Sequence, residues 1–216
     1  MKAQRIVGLT GGFDRNSRTY SLVERAVLQA REHYVLEHCL LTLDDLGPSL
    51  QCARRPADLD ASAHAVIDEI VQADLLVIGV PTYNAGYPGM FKHLFDLIGP
   101  DVLAGKPVLL LATGGSERHA LMIDYQLRPL FSYLRTHVLP TAIYATGAQF
   151  DGLNIADEEV LARIGRAVRE FGRWAVDRID VSATGTRPLG QHELANAAPL
   201  EAHRLPCAQN ALPAGL

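Results

Sequence analysis

Cysteine is scarce. Cys39, Cys52 and Cys207 are the three in 216 residues, and an odd number at wide spacing excludes a disulfide framework and offers no paired spacing for zinc or a redox dithiol. They read as reduced thiols with structural roles. Long apolar runs are missing too. The longest, Leu75 to Pro81, has seven residues, against about 20 for a membrane helix and about 7 to 15 behind a basic start for a signal peptide. The chain is therefore expected in the cytoplasm, with no membrane partner. Basic clusters are absent as well: 20 Lys and Arg face 24 Asp and Glu for a net charge of −4, and no stretch could neutralise several phosphates, which argues against a nucleic-acid partner.

What is present suits an ordinary globular domain. Hydrophobic residues make up 48% and charged residues 20%, enough for a sizeable core, and the length fits one domain with an appendage. Arg5 to Thr10 is a short apolar run ending at Gly11-Gly12, as a buried strand does where it leaves a sheet. Ser17 then precedes Leu22, Val23, Ala26, Val27 and Ala30, one apolar helical face behind a capping hydroxyl. Tyr34 to Leu43 holds a second, outer strand, Asp44 to Asp60 reads as a loop, and Ala61 to Ala73 repeats the helical pattern. Leu75 to Val80 is apolar on both faces, so it belongs inside a parallel sheet. A third helix follows from Met90 to Ile98, a fourth strand from Lys106 to Ala112, a helix from about His119 to Arg135, a strand around Val138 to Tyr144 and a last helix from Asp157 to Val176. Pro129 should loosen the helix that contains it. Five strands interleaved with five helices predict a three-layer α/β fold with a parallel sheet. The domain is expected to span residues 1–179. Residues 180–216, rich in Ala, Pro and Gly and without periodicity, are expected to be a tail or an arm packed on a neighbouring subunit.

Ligands of open α/β sheets lie beyond the carboxyl ends of the strands, which selects three segments. Gly11 to Thr19 offers backbone N–H groups, two hydroxyls, Arg15 and Arg18, an anion cradle that lacks both GxGxxG and GK[ST], so a phosphate monoester suits it better than a dinucleotide or triphosphate; the alternative is an ordinary capped turn. Pro81 to Gly89 carries two tyrosines on a rigid backbone able to border a flat heteroaromatic ring. Thr113 to Arg118 places two glycines where a ligand approaches the backbone, with N–H donors for charge developing on a ring carbonyl. His119 reads as a capping or surface group, and Arg118 as either a surface residue or a partner for a nicotinamide-nucleotide phosphate. The histidines show no metal-ligand pattern, and no metal is expected.

The stretches SRT at 17–19, ADLLVIGVPTY at 73–83, YPGMFKHLFDLI at 87–98, and ATGGSERHAL with DYQLRPLF within 112–131 resemble the NADPH-dependent FMN reductase family. The likeness covers roughly residues 5–176 and is strongest to the reductases that supply reduced flavin to alkanesulfonate and methanesulfonate monooxygenases. It implies a flavodoxin-like sheet of order 2-1-3-4-5, FMN with NADPH or NADH, and a homodimer or homotetramer assembled through the helix that carries Tyr125. By position it implies that Arg15, Asn16, Ser17 and Thr19 hold the FMN phosphate, that Pro81, Thr82, Tyr83 and Asn84 flank the flavin, and that Thr113, Gly114, Gly115 and Ser116 meet the pyrimidine end. Hydride transfer then needs ring placement rather than a catalytic acid or base, with reacting atoms about 3 to 3.5 Å apart. Many relatives read GSPR where this chain has Gly11-Gly12-Phe13-Asp14, which implies weak phosphate retention and suits an enzyme that releases its flavin. An FMN-retaining quinone or azo reductase and a flavodoxin-like electron carrier are the competing readings.

Overall fold

Apolar runs stopped by glycine or proline become the strands. The computed structural model describes residues 4–177. There β1 (Gln4–Thr10), β2 (Leu36–Thr42), β3 (Leu75–Pro81) and β4 (Pro107–Gly114) pair in parallel, and the fifth position is shared by β5 (His137–Val138) and β6 (Ile143–Thr146), giving the order 2-1-3-4-5. This is the expected α/β arrangement. On one face Leu76, Ile78, Val80 and Leu110 pack with Phe91, Phe95 and Phe131; on the other Val77, Leu109 and Leu111 pack with Val23, Ala26, Ile164 and Phe171.

Helix α1 (Arg18–His33) starts at Ser17, whose side chain accepts the Tyr20 N–H, and its buried residues include Leu22, Val23, Ala26, Val27 and Ala30. It lies close on the sheet because β1 and β3 carry Gly8 and Gly79 beneath it. A Cβ at either would come within 2.7 and 2.3 Å of Val23 methyls, so any side chain there would lift the helix. The remaining helices are α2 (Ser49–Cys52), α3 (Ala61–Gln72), α4 (Gly89–Leu97), α5 (Arg128–Tyr133) and α6 (Glu158–Arg169).

Four segments depart from the sequence expectations. The 44–60 loop holds α2 and two short 3₁₀ turns. The last helix ends at Arg169, beyond which Glu170–Arg173 tightens to 3₁₀. The strand expected at 138–144 is broken at Leu139 to Ala142, since Pro140 has no N–H for the ladder; the Arg128 guanidinium satisfies the carbonyls of Leu139 and Pro140, and Glu170 accepts the Thr141 N–H. The helix expected at 119–135 is instead a 3₁₀ turn (Glu117–His119), a single π turn (Ile123–Leu127) and α5. Pro129, in the first turn of α5, has no N–H for the Tyr125 carbonyl, and the preceding turn widens so that the Arg128 N–H reaches the Ile123 carbonyl. A hairpin unforeseen in the sequence, β7 (Phe150–Asp151) and β8 (Asn154–Ile155), turns at Gly152. The expected 180–216 extension lies outside the described residues.

Candidate functional site

The carboxyl edge of the sheet is a polar layer in an otherwise apolar interior. Among the described residues the buried polar side chains are Thr10, Thr19, Thr42, Thr113 and Thr146, and all five sit at strand ends or at the start of α1. Above them opens a cleft of about 670 Å3, walled by residues 81–83 after β3, residues 113–117 at the end of β4, residues 146–148 after β6, and Arg18.

The first loop is largely occupied with itself. Asp14 Oδ1 accepts the Asn16 N–H at 2.7 Å, and Ser17 Oγ donates to the Asp14 carbonyl at 2.8 Å. Arg15 turns away from the cleft and bonds both carboxylate oxygens of Asp45 at 2.7 Å, with further bonds to the Tyr20 hydroxyl and Leu40 carbonyl. Burial works against its charge, but the hydrogen bond and field of Asp45 outweigh that and raise its pKa. The N–H groups of Arg18 and Thr19, in the first turn of α1, have no acceptor within the helix. Thr19 and Thr113 share a buried 2.6 Å hydrogen bond that ties this turn to β4.

The second loop is a tight reversal. Tyr83 and Gly86 exchange backbone hydrogen bonds of 2.8 and 3.0 Å around Asn84 (φ 50°) and Ala85 (φ 67°), the two positive φ values of a type I′ turn. The Gln126 amide, in the π turn, donates to the Ala85 carbonyl at 3.0 Å. Asn tolerates this region, whereas the Cβ of Ala85 clashes with backbone. Ala85→Gly is therefore expected to raise stability by about 0.5 to 1 kcal/mol, net of the added chain entropy. Differential scanning calorimetry reads this as an increase of a few degrees in Tm, and an unchanged or lower Tm counts against strain at this position.

The third wall is built by close approach. The Thr82 N–H bonds the Thr113 carbonyl at 2.7 Å, and the Tyr144 hydroxyl donates to the Ser116 carbonyl at 2.8 Å. Thr113 and Gly114 are strand residues paired with Ala145 and Thr146, so the loop proper begins at Gly115, and the helix expected after it is the short turn capped by Ser116. The Thr82 hydroxyl is buried in the cleft wall without a hydrogen-bond partner, the condition in which a polar group awaits a ligand or water.

Seven of the sequence-derived residues thus line one cleft: Pro81, Thr82, Tyr83, Thr113, Gly114, Gly115 and Ser116. Arg15, Asn16, Ser17, Thr19 and Asn84 lie outside its lining, with Ser17 and Thr19 in the turn below. Arg118 caps back on Ser116 through its N–H. Tyr125 borders a different hollow, of about 560 Å3, between α4 and α5. Residues 146–148 are additions; a glycine directly after the apolar β6 run was the available signal.

A doubly wound α/β sheet with a glycine- and hydroxyl-lined cleft beyond its carboxyl edge has the layout shared by mononucleotide-binding folds. The chain belongs to the NADPH-dependent FMN reductase family, whose model matches residues 4–151. It is 45% identical over 160 residues to an NADH-dependent FMN reductase, SfnF, of Pseudomonas fluorescens (74% of this chain, 86% of that protein). To an FMN reductase (NADPH) of Pseudomonas aeruginosa it is 42% identical over 160 residues (74% and 86%). Among solved structures, the apo form of the NADH:FMN oxidoreductase EmoB matches with a TM-score of 0.71 at 30% identity, covering 80% of this chain and 90% of that one. The protein is an oxidoreductase of FMN and NADH or NADPH.

The residues present fit a flavin. The cleft is of mononucleotide size, the unpartnered Thr82 hydroxyl stands in its wall, and a Cβ at Gly115 would meet nothing within 4 Å, leaving that backbone open to a ring.

Proposed function

We propose that this reductase passes reduced FMN to a separate flavin-dependent monooxygenase and works as a homo-oligomer. The carrying observation is the composition of the first loop: Arg15 is tied to Asp45 and Asp14 occupies the Asn16 N–H, so of the loop's two arginines Arg18 alone remains for a phosphate. An enzyme that exports its flavin needs this looseness, whereas an electron carrier needs the opposite. When bound, FMN supplies the ring that accepts a hydride from the nicotinamide and carries the electrons onward. The protein's part is placement. Pro81 to Tyr83 and the reversal after them form one wall, and Thr113 to Ser116 form the other with N–H groups suited to negative charge on a ring. Tyr83, 58% exposed, borders the open side by which the reductant enters.

Assembly is supported by apolar exposure. Leu121, Tyr125 and Tyr133 are 61%, 76% and 72% exposed, and the two tyrosines line the 560 Å3 hollow with Phe95, Pro129 and Leu130; side chains of this size are normally covered. Sedimentation velocity is expected to give a dimer or tetramer.

For function, protein passed through a desalting column is expected to lose most of its yellow colour. NADH or NADPH oxidation should then depend on added FMN, and reduced flavin should sustain a monooxygenase kept behind a dialysis membrane under low oxygen. Tight colour retention with quinone turnover and no need for added flavin overturns the export reading.

A further inference from the structure

Resting on the flavin-site reading above, we propose that Arg18, rather than Arg15, is the guanidinium that reads the phosphate monoester of the bound flavin. The lining of the cleft holds two charged residues, Arg18 and Glu117, so Arg18 is its cation. No carboxylate lies within ion-pair distance of Arg18 among the described residues, whereas Arg15 is neutralised by Asp45. Arg18 is nevertheless held in place: its Nε donates to the Gly152 carbonyl at 3.3 Å, and the guanidinium lies 6.0 Å from the centre of the Phe150 ring. Those contacts use Nε and one face of the group, and they leave the terminal nitrogens for a ligand. Room for them comes from Gly147, where a Cβ would lie 3.0 Å from Nη1.

Charge accounting points the same way. Within 11–19 the loop carries Asp14, the Arg15 ion pair and Arg18. Without Arg18 a phosphate dianion would face a negative side chain and dipoles alone; with it, a planar cation borne by the first turn adds to the free N–H groups of Arg18 and Thr19. The β7–β8 hairpin then acts as the positioning element for the phosphate cation, which gives a purpose to the Gly147–Gly152 segment that the sequence reading passed over.

The test compares FMN with riboflavin, which lacks the phosphate, by fluorescence-quenching titration of the flavin-free protein. The unsubstituted protein is expected to prefer FMN. In Arg18→Gln the FMN Kd should rise about ten- to hundredfold, the range for a hydrogen-bonded charge, with the riboflavin Kd unchanged. Arg18→Lys should keep part of the preference, and Gly147→Ala, which displaces the guanidinium but retains its charge, should lose part of it. Arg15→Gln should leave the preference within about twofold. An unchanged FMN-to-riboflavin ratio in Arg18→Gln, equal losses for both flavins, or a collapse of the ratio in Arg15→Gln instead would overturn the proposal. So would a change confined to the KM for NADH or NADPH, which would assign Arg18 to the reductant's phosphates. If the unsubstituted protein binds neither flavin, the flavin site itself is misplaced, an outcome separable from all of these.

Discussion

Thr82→Val is expected to make the flavin-free protein more stable and its hold on FMN weaker. The Thr82 hydroxyl is buried with no partner, and such a group costs about 1 to 3 kcal/mol of desolvation. Valine keeps the shape and removes that cost. For a domain of this size each kcal/mol is worth about 2 to 4 °C in Tm, so scanning calorimetry without flavin should show a clear rise. A bound ring that took this hydroxyl as a hydrogen-bond partner would lose that bond in the variant, so the FMN Kd is expected to rise about tenfold. The opposite signs are the diagnostic. Thr10→Val provides the control: the Thr10 hydroxyl is also buried and unpartnered, yet it does not line the cleft, so this variant should gain stability with the FMN Kd unchanged. A Thr82→Val protein whose Tm and FMN affinity move together would mean that the hydroxyl does not face the ligand.

Gly114→Ala should be the most damaging single methyl in the site. A Cβ there would fall 2.0 Å from the Tyr144 hydroxyl and 3.2 Å from the Thr82 hydroxyl. The tyrosine must leave, its bond to the Ser116 carbonyl breaks, and the third wall loses its anchor. The expected loss is about 2 to 3 kcal/mol by urea unfolding, as for overpacking compounded by a lost hydrogen bond, together with loss of flavin binding. Tyr144→Phe alone should cost about 1 kcal/mol. Because the two side chains contend for one space, the Gly114→Ala/Tyr144→Phe double variant should be more stable than Gly114→Ala alone, a coupling that a double-mutant cycle measures directly. A double variant that loses the sum of the two single effects would show that the Tyr144 hydroxyl is not the obstacle.

The interior strands were legible because continuous apolar runs bounded by glycine or proline, such as Leu75 to Pro81, have few other solutions. The same logic located two of the cleft's walls, the segments that follow β3 and end β4, since strand order places those ends together. The fifth strand was not legible in detail. Pro140 signalled a break, but the bridging role of Arg128 depends on a side chain approaching from another element. Likewise Pro129 announced a disturbed helix without specifying a π turn, whose Gln126 pins the Ala85 carbonyl 41 positions away. The loop after β6 went unnoticed because a lone glycine after a short strand has many ordinary uses.

By itself the sequence determined the class of fold, the edge of the sheet at which the cleft opens, and the family, because periodicity, punctuation and contiguous motifs are local properties of the chain. Tertiary structure decided which groups face the cleft. Arg15 and Arg18 stand three positions apart on one loop, equivalent as text. Asp45, 30 positions on, draws the first away, and the Gly152 carbonyl, 134 positions on, holds the second at the site. Charges are assigned by the partners that folding brings to them, and those partners are distant in the chain.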